Sequence, residues 1–138
     1  MARSVSERIR DGVARRAGYR CEYCLLHEED SGFSHEVDHI ISRKHGGSSE
    51  MDNLAFSCLT CNRNKGTDVA SVKPTTGEAL RLFDPRSDRW TDHFRLKGAT
   101  IEAITETAAV TIRILRMSDP ERVSERRILQ ALGRYPRD

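Results

Sequence analysis

The chain has 138 residues, 37% of them hydrophobic and 32% charged, with a formal net charge of +2. That length suits one small domain rather than two, and the composition excludes collagen-like, fibrous and low-complexity chains. Apolar stretches such as Leu54–Phe56 and Ala108–Val110 fall far short of the ~20 residues that span a bilayer. The opening Met1-Ala2-Arg3-Ser4 carries no apolar signal core, so the reading is a cytoplasmic protein with no membrane partner and no lasting disulfides.

In chain order, Ser4-Val5-Ser6-Glu7 has the form of a capping box, and Val5, Ile9, Val13 and Ala17 follow at spacing four, which predicts an amphipathic helix ended by Gly18. Residues Phe33 to Ile41 alternate roughly as in a strand, and Gly46-Gly47-Ser48-Ser49 marks a turn. From Asp52 to Lys65 the pattern predicts a short turn leading into a helix. Val69 to Trp90 reads as mostly irregular, with one helical turn over Gly77 to Leu82. A hairpin is expected from His93–Leu96 and Thr100–Ile104 around Gly98, then a helix over Thr105–Met117 and a last one opened by Asp119-Pro120 and running to Leu132. The expected class is therefore α+β, a single domain over 1–138.

Basic residues are distributed unevenly. Lysine plus arginine against aspartate plus glutamate is 10 to 11 in residues 1–70 and 13 to 10 in residues 71–138, and arginine outnumbers lysine 19 to 4. A guanidinium fork suits phosphate oxygens, though a coding bias explains the same ratio equally well. Arg122, Arg126 and Arg127 in the last helix read either as contacts to a nucleic-acid backbone or as an ordinary charged face.

The four cysteines fall into two Cys-x-x-Cys pairs, Cys21/Cys24 and Cys58/Cys61, separated by the 33 residues Leu25–Ser57. Each pair forms a tight knuckle, and two knuckles complete a tetrahedral site of four sulfurs for a structural Zn²⁺. With every position filled by protein, such an ion has no open vertex for catalysis. Between the knuckles, Asp38-His39 sets a hard oxygen ligand beside an imidazole. Side chains of neighbouring strand residues face opposite ways, so the two share one site only at a strand end or bend. Asn53 precedes the second knuckle, and Asn62 and Lys65 follow it at helical spacing.

The order Cys21-x-x-Cys24, Glu36-Val37-Asp38-His39-Ile40-Ile41, Gly46-Gly47, Asp52-Asn53-Leu54 and Cys58-x-x-Cys61-Asn62-x-x-Lys65 resembles the HNH endonucleases over about residues 18–66. The resemblance implies a ββα-metal nuclease core at 18–66, with residues 67–138 as a helical C-terminal extension. It implies His39 as general base, Asp38 and Asn62 as ligands of a divalent cation, and Asn53 as the residue that orients the loop and the His39 ring. Asn62 stands where many members have histidine, an HNN variant whose amide oxygen favours Mg²⁺ or Mn²⁺. The implied reaction is hydrolysis of DNA phosphodiesters to 5′-phosphate and 3′-hydroxyl ends, with Arg43, His45 and Lys65 either on flanking phosphates or merely solvated. Two rivals are a zinc-stabilised nucleic-acid-binding module that no longer cuts and an RNA nuclease. One such site cuts one strand per encounter, so monomer and homodimer both stay open. The stretches Leu82–Arg86 and Arg89–Phe94 are similar to a tail of small bacterial HNH proteins. They read as an aromatic latch of Trp90 and Phe94, with Arg86, Arg89 and His93 either solvated or facing the substrate.

Overall fold

The computed structural model describes residues 5–138, with Val5 described in its backbone only, so Ser4 of the expected capping box lies outside the described residues. The first helix, α1, spans Val5–Arg16 and lays Ile9, Val13 and Ala14, joined by Ala17 just past its end, against Val37, Leu54 and Phe56. Gly18, at φ +66°, turns the chain as expected, and the Tyr19 amide then closes on the Ala14 carbonyl at 2.9 Å.

Strand β1, Glu36–His39, pairs antiparallel with β2, Leu54–Ser57, in the register Asp38 to Ala55 and His39 to Leu54. The expected strand over Phe33–Ile41 is thus shorter at both ends, and Phe33 is exposed. Strand β2 corrects the reading of residues 52–65 as a turn and helix. Its four residues are all buried, Leu54 and Phe56 on the α1 side and Ala55 in the second core. A strand covered on both faces shows no alternation, which is why periodicity did not reveal it. Helix α2, Leu59–Lys65, starts at the second knuckle, where the Cys58 sulfur caps the Cys61 amide at 3.4 Å.

A second correction concerns residues 69–90. Strands β3, Ala70–Val72, and β4, Ala79–Arg81, form a hairpin where irregular chain and a helical turn were expected. Both are only half-covered, and the pairing is supported from outside the segment, by Arg113 donating to Ser71 Oγ and the Val72 carbonyl. The short helix α3, Trp90–His93, leads into β5, Phe94–Lys97, and β6, Thr100–Ala103, the hairpin expected around Gly98, which has φ +61°. Helix α4, Glu106–Leu115, is capped by Thr105 Oγ1 on the Ala108 amide, and α5, Pro120–Ala131, opens on proline.

The larger core joins the knuckles to the extension: Cys21, Tyr23, Cys24, Ala55, Cys58 and Cys61 pack with Phe83, Phe94, Ile101, Val110, Leu115 and Met117. Trp90 latches this junction, packed on Phe94 with ring centroids 5.1 Å apart and donating from Nε1 to the Tyr23 carbonyl at 2.8 Å. Arg86 turns inward to pair with Glu22, and His93 bonds Thr105 Oγ1 at 2.7 Å, so of Arg86, Arg89 and His93 only Arg89 faces outward. No helix among the described residues is long and apolar enough to cross a membrane.

Candidate active site and cysteine metal centre

The sulfur atoms of Cys21, Cys24, Cys58 and Cys61 lie within 4.8 Å of one another, all four residues buried. The Cys24 and Cys58 sulfurs are 3.7 Å apart, close to the ~3.8 Å edge of a tetrahedron with metal–sulfur bonds near 2.3 Å. In each knuckle the fourth residue's amide donates to the first sulfur at 3.4 Å, Cys24 to Cys21 and Cys61 to Cys58. As thiols the four cannot all ionise together. Thiol donors from Cys21 and Cys58 hold Cys24 well below the usual range, while bonding to Cys21 and Cys24 pushes Cys58 up and burial pushes Cys61 up. A soft divalent ion is the partner that lets all four act as thiolates, and the set fits Zn²⁺.

His39 is the last residue of β1, and its Nε2 stands 3.0 Å from Ser49 Oγ. The ring lines an open cleft of about 370 Å³ with Ser49, Ile9, Arg10, His35 and Leu54. Arg10 is anchored there by Glu28 at 2.6 Å and by the His35 carbonyl at 3.0 Å. His35, to which the sequence assigned no role, is a core residue: its Nε2 donates to the Leu26 carbonyl at 2.8 Å and its ring packs on Phe56.

Asp38 points the other way, as neighbouring strand residues must. Its carboxylate is 4% exposed and receives the Tyr23 hydroxyl at 2.9 Å and the Lys65 ammonium at 3.2 Å. Burial pushes the Asp38 carboxyl up, opposed by Lys65, and burial raises the Tyr23 phenol well above its ordinary value, so that Tyr23 remains a neutral donor. Lys65 also donates to the carbonyls of His39 and Ile40, at 3.1 and 3.3 Å. This overturns both readings of Lys65, phosphate contact and a solvated surface role: at 2% exposure, with its donors committed to Asp38 and to the end of β1, it is an internal strut.

Asn53 holds the loop between the strands by three bonds. Its Oδ1 accepts from the Ile41 amide at 2.9 Å, and its Nδ2 donates to the carbonyls of Ile41 at 2.9 Å and Ser48 at 2.7 Å. Gly47 is required beside it, because a Cβ there would lie 1.7 Å from the Ile41 oxygen. Asn53 meets the backbone next to His39 rather than the ring; its carbonyl accepts from the Ile40 amide at 2.9 Å. Arg43 and His45, in a short 3₁₀ turn at Arg43–His45, are exposed, with no side-chain partner among the described residues.

Asn62 lies one turn before Lys65 on α2, half-buried, and its side-chain amide has no partner among the described residues. As donor types the Asp38 carboxylate and the Asn62 amide oxygen are the hard oxygens that Mg²⁺ takes, and in this structure the carboxylate is 4% exposed and engaged by Tyr23 and Lys65. Apart from the cysteines, no group of three or more histidine, cysteine or acidic ligands gathers among the described residues. Tyr23 and Ser49 were missed in the sequence, where a tyrosine inside a knuckle and a serine in a Gly-Gly-Ser-Ser turn carry no signal of their distant partners.

A β-hairpin and a helix braced by two cysteine knuckles make this an α+β protein of the ββα-metal kind. The family-level comparison agrees: residues 21–68, from the first knuckle to just beyond α2, match the family model described as HNH endonuclease. No curated protein and no solved structure matches the chain.

Proposed function

We propose that the chain is an active HNH endonuclease that hydrolyses DNA phosphodiesters to 5′-phosphate and 3′-hydroxyl ends, with residues 1–138 acting as one domain and Cys21, Cys24, Cys58 and Cys61 holding a structural zinc. The observation that carries this reading is His39: an imidazole at a strand end, open to a cleft, inside a segment of the nuclease family. With the Ser49 hydroxyl donating to Nε2, that nitrogen bears the lone pair and takes the proton of an attacking water that replaces Ser49. Imidazole is suited to the task because its ordinary pKa lies near neutrality.

Asn53 and Gly47 fix the loop that carries Ser49 and so set the approach to the base. Asp38 and Asn62 would hold the divalent cation, Mg²⁺ or Mn²⁺. When bound, that ion supplies charge stabilisation on a non-bridging phosphate oxygen and on the leaving oxygen. Lys65 fixes Asp38 and the end of β1 against α2, and the free guanidinium of Arg43 and the ring of His45 supply contacts to flanking phosphates.

The pairing of Asp38 with Lys65 also favours the rival reading, a binding module that no longer cuts. Nicking of supercoiled plasmid with Mg²⁺ or Mn²⁺ separates the two, with His39→Ala and a chelator as controls and a matched RNA substrate alongside. Cleavage of DNA lost in both controls supports the nuclease. Binding without cleavage by the zinc-loaded protein, over a range of target sequences, supports the module, and cleavage confined to RNA replaces the substrate.

A further inference from the structure

A divalent ion bound by four thiolates leaves its site two negative charges in excess. In this chain the four sulfurs are buried in the core, where an uncompensated charge is strongly destabilising. Compensation comes from α5. Arg122 reaches back to the second knuckle and donates from Nη2 to Cys61 Sγ at 3.0 Å, with Cys58 Sγ at 3.8 Å, while Nη1 is fixed by the carbonyls of Leu115 and Arg116.

One turn later Arg126, 3% exposed, donates from Nε to the Ala99 carbonyl at 2.8 Å and keeps a buried Nη2 with no partner among the described residues. It lines a cavity of about 20 Å³ beside Cys24, Leu26 and Arg122, with solvent-exposed Glu125 at the rim. The chain that follows α5 closes on the first knuckle, the Tyr135 hydroxyl donating to the Cys24 carbonyl at 2.6 Å.

We propose that α5 completes the cysteine metal centre: Arg122 and Arg126 neutralise the excess charge of the metal-loaded knuckles, so that zinc retention and docking of the C-terminal helix depend on each other. The dependence is reciprocal by thermodynamic linkage. If loaded thiolates bind the helix better than protonated thiols do, the docked helix holds the metal tighter by the same factor. It also explains why two arginines of an otherwise polar helix turn inward, against the expectation that Arg122 and Arg126 face a nucleic acid or solvent. The proposal concerns the metal centre alone and stands whether or not the protein cuts DNA.

The test is competition for zinc between the full chain and a chromogenic chelator, for the wild type, Arg122→Met, Arg122→Lys and Arg126→Met, with Co²⁺-substituted protein read by its sulfur-to-cobalt charge-transfer band. Removing a partner of metal ligands typically weakens metal affinity by about 10–100-fold. That loss is expected for Arg122→Met, a smaller one for Arg122→Lys, and a shifted cobalt band for both. Zinc affinity within twofold of wild type in a folded Arg122→Met protein overturns the proposal. So does weaker affinity with an unmoved band, which assigns Arg122 only to bracing the end of α4. If Arg122→Met does not fold even in excess zinc, Arg126→Met decides: a tenfold or greater loss of affinity supports the coupling and a smaller loss overturns it.

Discussion

The ammonium of Lys65 lies 3.2 Å from each carboxylate oxygen of Asp38, and the two side chains are 2% and 4% exposed. A lysine that follows a cysteine knuckle beside a nuclease motif invites a phosphate; here its charge is spent inside the protein. Lys65→Met leaves the Asp38 carboxylate buried without its cation and is expected to destabilise the fold by about 3–5 kcal/mol in urea titration. The slope of DNA affinity against salt should stay unchanged, because no phosphate contact is lost. A slope reduced by about one would restore Lys65 to the binding surface.

The loop that places Ser49 beside His39 hangs on Asn53 and on the absence of a side chain at Gly47. Asn53→Ala removes three hydrogen bonds, at about 1 kcal/mol each. Gly47→Ala puts a methyl group into the Ile41 carbonyl. Both variants are expected to retain stoichiometric zinc while cleavage falls at least tenfold, measured as plasmid nicking beside metal analysis. Full activity in either would mean that the loop geometry does not matter to the base proposed at His39.

Acid stability should depend on Asp88. Arg81 grips its carboxylate at 2.5 and 2.8 Å and holds it below the usual carboxylate range, and the Asp84 amide adds a third bond at 3.0 Å. A depressed folded-state value means that the contribution is present above the unfolded value, near ~3.9, and is lost as pH falls through the folded one. Thermal melts of the wild type should therefore drop on acidification below about pH 4, and Asp88→Asn should start lower at neutral pH and fall less steeply. Parallel acid limbs in the two proteins would rule out this role.

Trp90, the single tryptophan, reports on the first knuckle through its bond to the Tyr23 carbonyl. Structural zinc contributes about 10 kcal/mol or more in small zinc modules, comparable with the ~5–15 kcal/mol that stabilises a whole domain. Chelation should therefore unfold the protein cooperatively, with loss of helical ellipticity and a red shift of Trp90 emission at the same chelator concentration. Retention of both signals in metal-free protein would show that the apolar core alone carries the fold.

The metal-centre residues and the order of the nuclease motif were legible in the sequence because they are local chemistry. A two-residue gap between cysteines, a glycine pair in a turn and a proline that opens a helix act over a few residues, and the α1, α4, α5 and β5–β6 elements followed from spacing of the same kind. What the tertiary structure decided is the direction each side chain faces and the partner it meets. Asp38 and His39 are neighbours in sequence yet lie on opposite sides of β1, one sealed under Tyr23 and Lys65, the other open to a cleft. Strand β2 and the β3–β4 hairpin exist because other elements cover or brace them. Three cations that composition counts alike, Lys65, Arg122 and Arg126, turn inward to partners 27, 61 and 27 residues away, whereas Arg43 stays in solvent. Burial makes a charge choose its partner by distance in space, and that distance has no period along the chain.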